Sequence, residues 1–301
     1  MLQFRATAGK GWMVNHPLKP LRFPAGEMHF ALPENDEAYT PTLAIWRPEA
    51  STLNEELVLL GMYADYVRQR GLKPQLFAPY FPGARADRGA PFGARVYAQL
   101  VNAMEFESVT ILDPHSPVIV RELERVRVID SAHVAKRAVF GRTDFVESSW
   151  AGIIAPDAGA VERATRMAAA TGLPLFKADK TRDFATGKLS GFSCEKLPDE
   201  GRLLLVDDIC EGGGTFCGLA KATGVERERL ALWVTHGSFT GRAAQLTDYF
   251  GQIYTTDSLM NARNPELQAM VTPLPAFHRY GPFMDVEKIR ATAPTHGPED
   301  L

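Results

Sequence analysis

The sequence predicts an α/β fold of two similar domains, each a mainly parallel sheet flanked by helices. Three observations predict it. Short apolar runs at 109–112, 152–155, 203–206 and 230–235 alternate with stretches of helical periodicity, and strands separated by helices build parallel sheets through crossover connections. These runs lack polar alternation, as strands covered on both faces do. The chain has 301 residues, too many for one average domain and suited to two. Periodicity is weakest over 126–145, which puts the boundary near Arg137 to Arg142 and the domains at 1–139 and 140–301, with the tail packing back on the first.

Composition narrows the class. Hydrophobic content of 45% and charged content of 23% are those of an ordinary globular protein. A net charge of −3 gives no general attraction to nucleic acid or to a membrane surface, so any phosphate must be bound by local groups. The three cysteines, Cys194, Cys210 and Cys217, form no C-x-x-C pair, which suits a reducing cytoplasm rather than a disulfide framework. No apolar run has the length of a membrane span, and Met1 to Lys10 holds no signal-peptide core.

In chain order, the first fifty residues read as short strands and turns, including 29–32 and 42–46. They contain Arg22-Phe23-Pro24-Ala25-Gly26-Glu27. A helix over 53–70 follows, with Thr52 and Glu55 at capping-box spacing and Gly71 as its stop. A strand at 75–78 delivers Pro79-Tyr80-Phe81-Pro82-Gly83-Ala84-Arg85-Ala86-Asp87-Arg88 into a loop whose arginines suit phosphate or a stacked base. A helix over 92–104 leads to the strand at 109–112, ending in Asp113-Pro114-His115; His115 there can meet a metal or cap a helix. The strand at 152–155 ends in Pro156-Asp157-Ala158-Gly159, with a helix over 161–170. Asp157 can cap that helix or face a metal or a ribose. After a strand at 173–176, the polar stretch to Lys196 reads as a mobile loop. Its Lys180-Thr181-Arg182 suits a lid that brings positive charge to transferring phosphoryl groups. A helix from 237–239 to 250, a strand at 253–256 and a helix near 285–291 complete the chain.

The most informative stretch is 203–216, Leu-Leu-Leu-Val-Asp-Asp-Ile-Cys-Glu-Gly-Gly-Gly-Thr-Phe. An apolar strand ends in Asp207 and Asp208. Gly212, Gly213 and Gly214 let backbone amides close on an anion, and the following helix start adds unpaired N–H groups. Thr215 can cap the helix or donate to a phosphate. The aspartates can accept hydrogen bonds from sugar hydroxyls. The pattern therefore describes a phosphorylated-sugar pocket at the carboxyl end of a strand. Cys210 in this loop reads as a small apolar filler.

This stretch resembles the phosphoribosyl-pyrophosphate-binding motif of the phosphoribosyltransferase fold. The ordered set from Phe23 to Asp257 is similar to the ribose-phosphate pyrophosphokinase family. Phe23-Pro24-Ala25-Gly26-Glu27 resembles its Phe-x-Asn/Asp-Gly-Glu segment, and Arg85 and Asp87 fall in its Pro-Tyr arginine loop. His115 falls in its Asp-Leu-His motif, Asp157 in Pro-Asp-x-Gly, Lys180 and Arg182 in the lid's Lys-Arg-Arg, and His236 in Thr-His-Gly.

The resemblance implies two phosphoribosyltransferase-type domains and transfer of a diphosphoryl group from MgATP to ribose 5-phosphate. It implies Phe23, Glu27, Arg85, Asp87 and His115 as ATP contacts, and His115 and Asp157 as Mg²⁺ contacts. Asp207, Asp208, Glu211, Gly212, Gly213, Gly214 and Thr215 are implied for ribose 5-phosphate, with Lys180 and Arg182 catalytic. It also implies a homo-oligomer, a dimer or a higher assembly such as a hexamer. Departures are Glu211 for Asp, Ala25 and Ala86 near adenine, Thr181 in the lid and the unbroken glycine triplet. That triplet keeps a second reading open, a phosphoribosyltransferase that consumes phosphoribosyl pyrophosphate. A synthetase-associated regulatory protein is a third; it would be expected to lose the lid cations or the aspartate pair, and both are present.

Overall fold

The computed structural model describes residues 1–9, 12–141, 150–182, 189–274 and 283–294, leaving aside the side chains at 180–182, 189 and 190. It divides into two compact units, Met1–Ile129 with Phe277–Leu301, and Asp130–Ala276.

In the first unit, β1 (Leu2–Ala8) and β2 (Trp12–Asn15) precede a two-stranded ribbon, β3 (Lys19–Arg22) and β4 (Met28–Ala31). There follow β5 (Tyr39–Trp46), α1 (Leu53–Gln69), β6 (Gln75–Phe77), α2 (Gly93–Asn102), β7 (Ser108–Leu112), α3 (Pro117–Glu122) and β8 (Val126–Ile129). The main sheet runs β2-β1-β5-β6-β7-β8. β1 is antiparallel to both its neighbours, and β5 to β8 are parallel. α1 buries Leu59, Leu60, Tyr63, Ala64 and Val67, a stripe at helical spacing, against a core that includes Trp46, Leu76, Ile111 and Ile119. Gly71, at φ +69°, follows the helix end. The capping box expected from Thr52 and Glu55 does not form. The Thr52 hydroxyl donates instead to Glu56 at 3.1 Å, because Glu56 is buried as the acceptor of Trp46 Nε1 at 2.9 Å.

The second unit opens with α4 (Ser131–Ala135) and a wider turn, Lys136–Phe140. β9 (Trp150–Ala155), α5 (Val161–Thr171), β10 (Leu175–Arg182), β11 (Leu189–Cys194) and β12 (Arg202–Cys210) follow. α6 (Gly214–Thr223), β13 (Leu230–Gly237), β14 (Gln252–Thr256) and β15 (Met270–Thr272) complete it. The sheet order is β11-β10-β9-β12-β13-β14-β15. All neighbours are parallel except the β10–β11 pair. Every residue of β13 is buried, which is why its run carries no polar alternation. The last helix, α7 (Val286–Ala291), returns to the first unit, where Arg290 donates to the carbonyls of Val120 at 3.3 Å and Leu123 at 2.9 Å on and after α3.

Three local expectations differ from the structure. Residues 130–139, placed by periodicity with the first domain, belong to the second unit: Asp130 caps α4 and pairs with Arg166 of α5 at 3.3 Å, and Lys136 donates to the carbonyl of Ala170. The expected loop after Phe176 is largely a β10–β11 hairpin, with 183–188 outside the described residues. It is held by Phe192, whose ring lies on Gly218 of α6 with no space for a Cβ. The helix expected to reach Phe250 is only a short 3-10 stretch, Ala243–Asp248. Before it, the amides of Ser238, Phe239 and Thr240 are drawn to the carbonyls of Cys210 and Glu211, and Gly241 turns at φ +59°.

A Cβ on Gly218 would lie 2.3 Å from the Phe192 ring. Gly218→Ala should therefore push the hairpin off α6 and destabilise the protein by about 1–3 kcal/mol, read from the midpoint of urea unfolding.

Candidate active site

The site of the second unit is built where parallel strands end. β12 continues past the apolar run, because it stays in register with β13 as far as Cys210 opposite Gly237. Asp207 and Asp208 are therefore inside the strand, not beyond it as the apolar run suggested. Both carboxylates are mostly buried. Arg163, itself 7% exposed on α5, bridges them: one guanidinium nitrogen lies 3.4 Å from Asp207 Oδ1 and another 3.7 Å from Asp208 Oδ2. The Asp208 amide also donates to Asp207 Oδ1 at 2.8 Å.

Burial, and then the neighbouring charge of Asp208, push the Asp207 carboxyl well above the usual carboxylate range; Arg163 works against this without cancelling it. A hydroxyl-bearing ligand that offers hydrogen bonds to this pair replaces lost water contacts and favours the ionised form.

Beyond β12 the chain makes the glycine turn. Gly213 has φ +75°, and a Cβ there would meet the Leu246 side chain at 2.9 Å, so backbone and packing both call for glycine. Gly214 is different: its φ is ordinary, and a Cβ would meet nothing within 4 Å. The fold does not call for glycine at Gly214, which leaves an amide open to a ligand at the first turn of α6. The turn's own carbonyls are occupied, since Cys210 O accepts from the Ser238 and Phe239 amides at 3.0 Å each and Glu211 O from Thr240 at 3.2 Å. Carbonyls engaged in this way do not repel an anion that approaches the amides. Thr215 is the second residue of α6, so Gly213 and not Thr215 occupies the capping position. Glu211 and Gly214 are exposed, and Gly212 and Thr215 half-buried.

The strands beside β12 bring other groups to the same end of the sheet. Leu205 pairs with Ile154, which carries Asp157, just after β9, level with the aspartate pair. Asp157 caps the turn before α5, accepting the Ala160 amide at 3.2 Å. Lys177 pairs with Ala155, so the backbones of Lys180 and Arg182 stand on β10 beyond the end of β9; their side chains lie outside the described residues. On the other flank, His236 Nδ1 lies 2.9 Å from Ser258 Oγ, whose hydroxyl also reaches the Thr235 carbonyl at 3.3 Å. Burial pushes the Cys210 thiol up to about 12, so it fills space and is no nucleophile.

The first unit gathers a second set. β6 and β7 are adjacent and parallel, and the Leu112 amide donates to the Pro79 carbonyl at 3.1 Å. This joins the arginine loop to the loop that carries His115. Arg85 and His115 are exposed. Asp87 is buried and accepts from Arg88 Nε at 3.3 Å, so it braces the loop. Gly83, at φ +75°, sits against the Tyr97 ring with no room for a side chain, which draws the loop onto α2. Asp113, just before His115, holds φ +43° while 1% exposed, a strained backbone at a strand end. Phe23 and Glu27 are carried by another element, the tip of the β3–β4 ribbon. There the Phe23 amide donates to Glu27 O at 2.9 Å, the Gly26 amide donates to Phe23 O at 2.8 Å, and Phe23 is 50% exposed.

The sequence reading missed Arg163. Its signal was present: Ala160, Ala164 and Met167 mark the buried face of this segment, and position 163 falls on that face with a charge. No group of three or more metal-ligating side chains occurs among the described residues.

No protein-family model matches the chain. Curated relatives do. A ribose-phosphate pyrophosphokinase of Thermococcus kodakarensis is 29% identical over 236 residues, 74% of this chain and 79% of that protein. The enzyme of the same name from Bradyrhizobium diazoefficiens is 28% identical over 223 residues, 69% and 67%. That from Pyrococcus furiosus is 26% identical over 252 residues, 79% and 84%. Among solved structures, the phosphoribosylpyrophosphate synthetase of Mycobacterium smegmatis superimposes with a TM-score of 0.70 over 92% of this chain and 90% of that one, at 20% identity, a likeness of fold. With its motifs in the family's order over most of its length, the chain is similar to the ribose-phosphate pyrophosphokinase family, and it shares the fold of a phosphoribosylpyrophosphate synthetase.

Proposed function

We propose that this protein is a ribose-phosphate diphosphokinase. It transfers the β,γ-diphosphoryl group of MgATP to the C1 hydroxyl of ribose 5-phosphate and yields phosphoribosyl pyrophosphate and AMP. The observation that carries the reading is the succession, on β12 and the turn that follows it, of a buried carboxylate pair and an open glycine amide. The strand's carboxylates suit sugar hydroxyls and the glycine turn suits a phosphate.

The chemistry follows from positions. The 5-phosphate rests on the amides at Gly212 to Gly214 and on Thr215. The ribose hydroxyls donate to Asp207 and Asp208, which Arg163 keeps in place. Glu211, exposed beside them, faces the same sugar. This holds the C1 oxygen for in-line approach to the β-phosphorus while AMP departs. Lys180 and Arg182 meet the charge that builds on the transferred oxygens. Phe23, Glu27, Arg85 and Asp87 belong to the nucleotide: an aromatic face for the base, a cation for its phosphates, and acids that brace those loops. Mg²⁺, arriving with the nucleotide, would offset phosphate charge, with His115 and Asp157 each as its candidate protein contact. In this reading the chain works as a homo-oligomer. The alternative, a phosphoribosyltransferase, leaves the loops of the first unit without a task.

Incubation with MgATP and ribose 5-phosphate should release AMP in step with phosphoribosyl pyrophosphate. Release of ADP, or pyrophosphate formation only when phosphoribosyl pyrophosphate and a base are supplied, would refute the reading. In the same assay Lys180→Ala should lower kcat by about 100-fold or more while changing KM for ribose 5-phosphate far less; equal changes would remove the lid role.

The two glycines should separate fold from function. Gly214→Ala should leave the unfolding midpoint within about 0.5 kcal/mol of wild type and raise KM for ribose 5-phosphate about tenfold. Gly213→Ala should lose about 1–3 kcal/mol of stability. An unchanged KM in the first variant would mean that the sugar phosphate binds elsewhere.

A further inference from the structure

The ribbon that carries Phe23 and Glu27 has strands of four residues each, and an isolated two-stranded ribbon is marginally stable. Its position must be set by what holds its base. His16 lies just before β3 and Asp36 follows β4. The His16 side chain is 0% exposed, and its Nε2 lies 3.0 Å from Asp36 Oδ1. The ring is flanked by Tyr39 and Tyr66, at centroid distances of 5.1 and 6.0 Å. Asp36 also accepts the Tyr66 hydroxyl at 2.7 Å and Arg70 at 2.9 Å, and Arg70 donates to Tyr66 Oη at 2.7 Å and to the Tyr39 carbonyl at 2.9 Å. Tyr66 lies in the last turns of α1, and Arg70 caps its end. The His16 amide donates to the Phe4 carbonyl at 2.8 Å, which fixes the residue to β1. Higher on the ribbon, Arg22 pairs with Glu55 of α1.

The network is more than a packed patch. Asp36 takes donors from Tyr66 and Arg70, so it is an acceptor, and His16 donates from Nε2. Nδ1 then has no hydrogen-bond partner among the described residues. A proton there would bury a donor without an acceptor. We propose that the His16–Asp36–Tyr66–Arg70 cluster staples the base of the β3–β4 ribbon and makes His16 a positioning residue for the nucleotide that Phe23 and Glu27 contact. The role at the nucleotide rests on the activity proposed above; the staple itself does not.

Burial holds the His16 imidazole below its usual 6.5; Asp36 opposes this and Arg70 adds to it. The folded state prefers neutral His16, so its contribution is complete above that pH and is lost as pH falls.

The test compares His16→Phe, which keeps a ring and loses the bond, with His16→Gln, which keeps a donor at the same reach and cannot take up a proton. Both are read in the full chain by amide exchange over residues 19–31 and by ATP kinetics. His16→Phe should speed ribbon exchange and raise KM for ATP about tenfold each, with KM for ribose 5-phosphate and kcat within about twofold. Wild type should show a rise in ATP KM as pH falls below 6.5, and His16→Gln should match wild type at neutral pH and lack that rise. If His16→Phe does not fold, Tyr66→Phe removes one donor to Asp36 and should give the same pattern at smaller size. Ribbon exchange equal to wild type in His16→Phe, or in Tyr66→Phe where that variant stands in for it, overturns the staple. A loosened ribbon with unchanged ATP KM, in an enzyme that does form AMP, overturns the positioning role. Failure of the wild type to form AMP would instead count against the activity, and the exchange data would still judge the staple.

Discussion

Two adjacent carboxylates inside a buried strand are the constraint around which the second unit is arranged. Asp207 and Asp208 lose most of their water where β12 nears its end, and their like charges raise the proton affinity of Asp207. Arg163 is what makes this tolerable. Its guanidinium reaches both, and removing one partner from a buried ion network leaves the remaining charge uncompensated, at a cost of about 3–5 kcal/mol. The arginine must therefore come from a helix that starts beside the strand, and α5 does, entered through the turn that Asp157 caps. The glycine turn then follows directly from the same strand, braced by the amides after β13. A sugar bearing both hydroxyls and a phosphate fits this order of groups along the chain.

The first unit solves a different problem with the same sheet logic. Adjacent parallel strands β6 and β7 deliver an arginine loop and a histidine loop to one edge, joined by a backbone hydrogen bond, and Asp113 holds its strained conformation at that edge. The β3–β4 ribbon is not part of that sheet. It depends on side chains from α1 at both base and flank, which is why the polar cluster around Asp36 matters to whatever Phe23 and Glu27 contact.

Much of this was legible beforehand, for a physical reason. A run such as Leu203 to Val206 is apolar on both faces because helices cover both faces, and the signal is local. The glycines, paired aspartates and the His115 strand end were legible in the same way. What failed needed long-range information. The strand outran its apolar residues because β13 pairing carries Asp207 and Asp208 along. The stretch after Phe176 looked like a solvated loop because its charges hide a hairpin anchored by one ring, Phe192, against one glycine. Arg163 drew no notice in the sequence because the neighbours of a helix face decide whether a charge on it is buried. His16 and Asp36, twenty residues apart in sequence, offered no pattern, since their meeting depends on the ribbon between them.

The central claim is that the end of β12 and the glycine turn after it hold the two ends of the sugar phosphate. A crystal structure of the protein soaked with ribose 5-phosphate tests it most directly. The account predicts the 5-phosphate on the amides of Gly212 to Gly214 and the ribose hydroxyls on Asp207 and Asp208, with Arg163 still bridging the pair. A phosphate bound away from that turn, or a sugar that leaves the two carboxylates untouched, would contradict it.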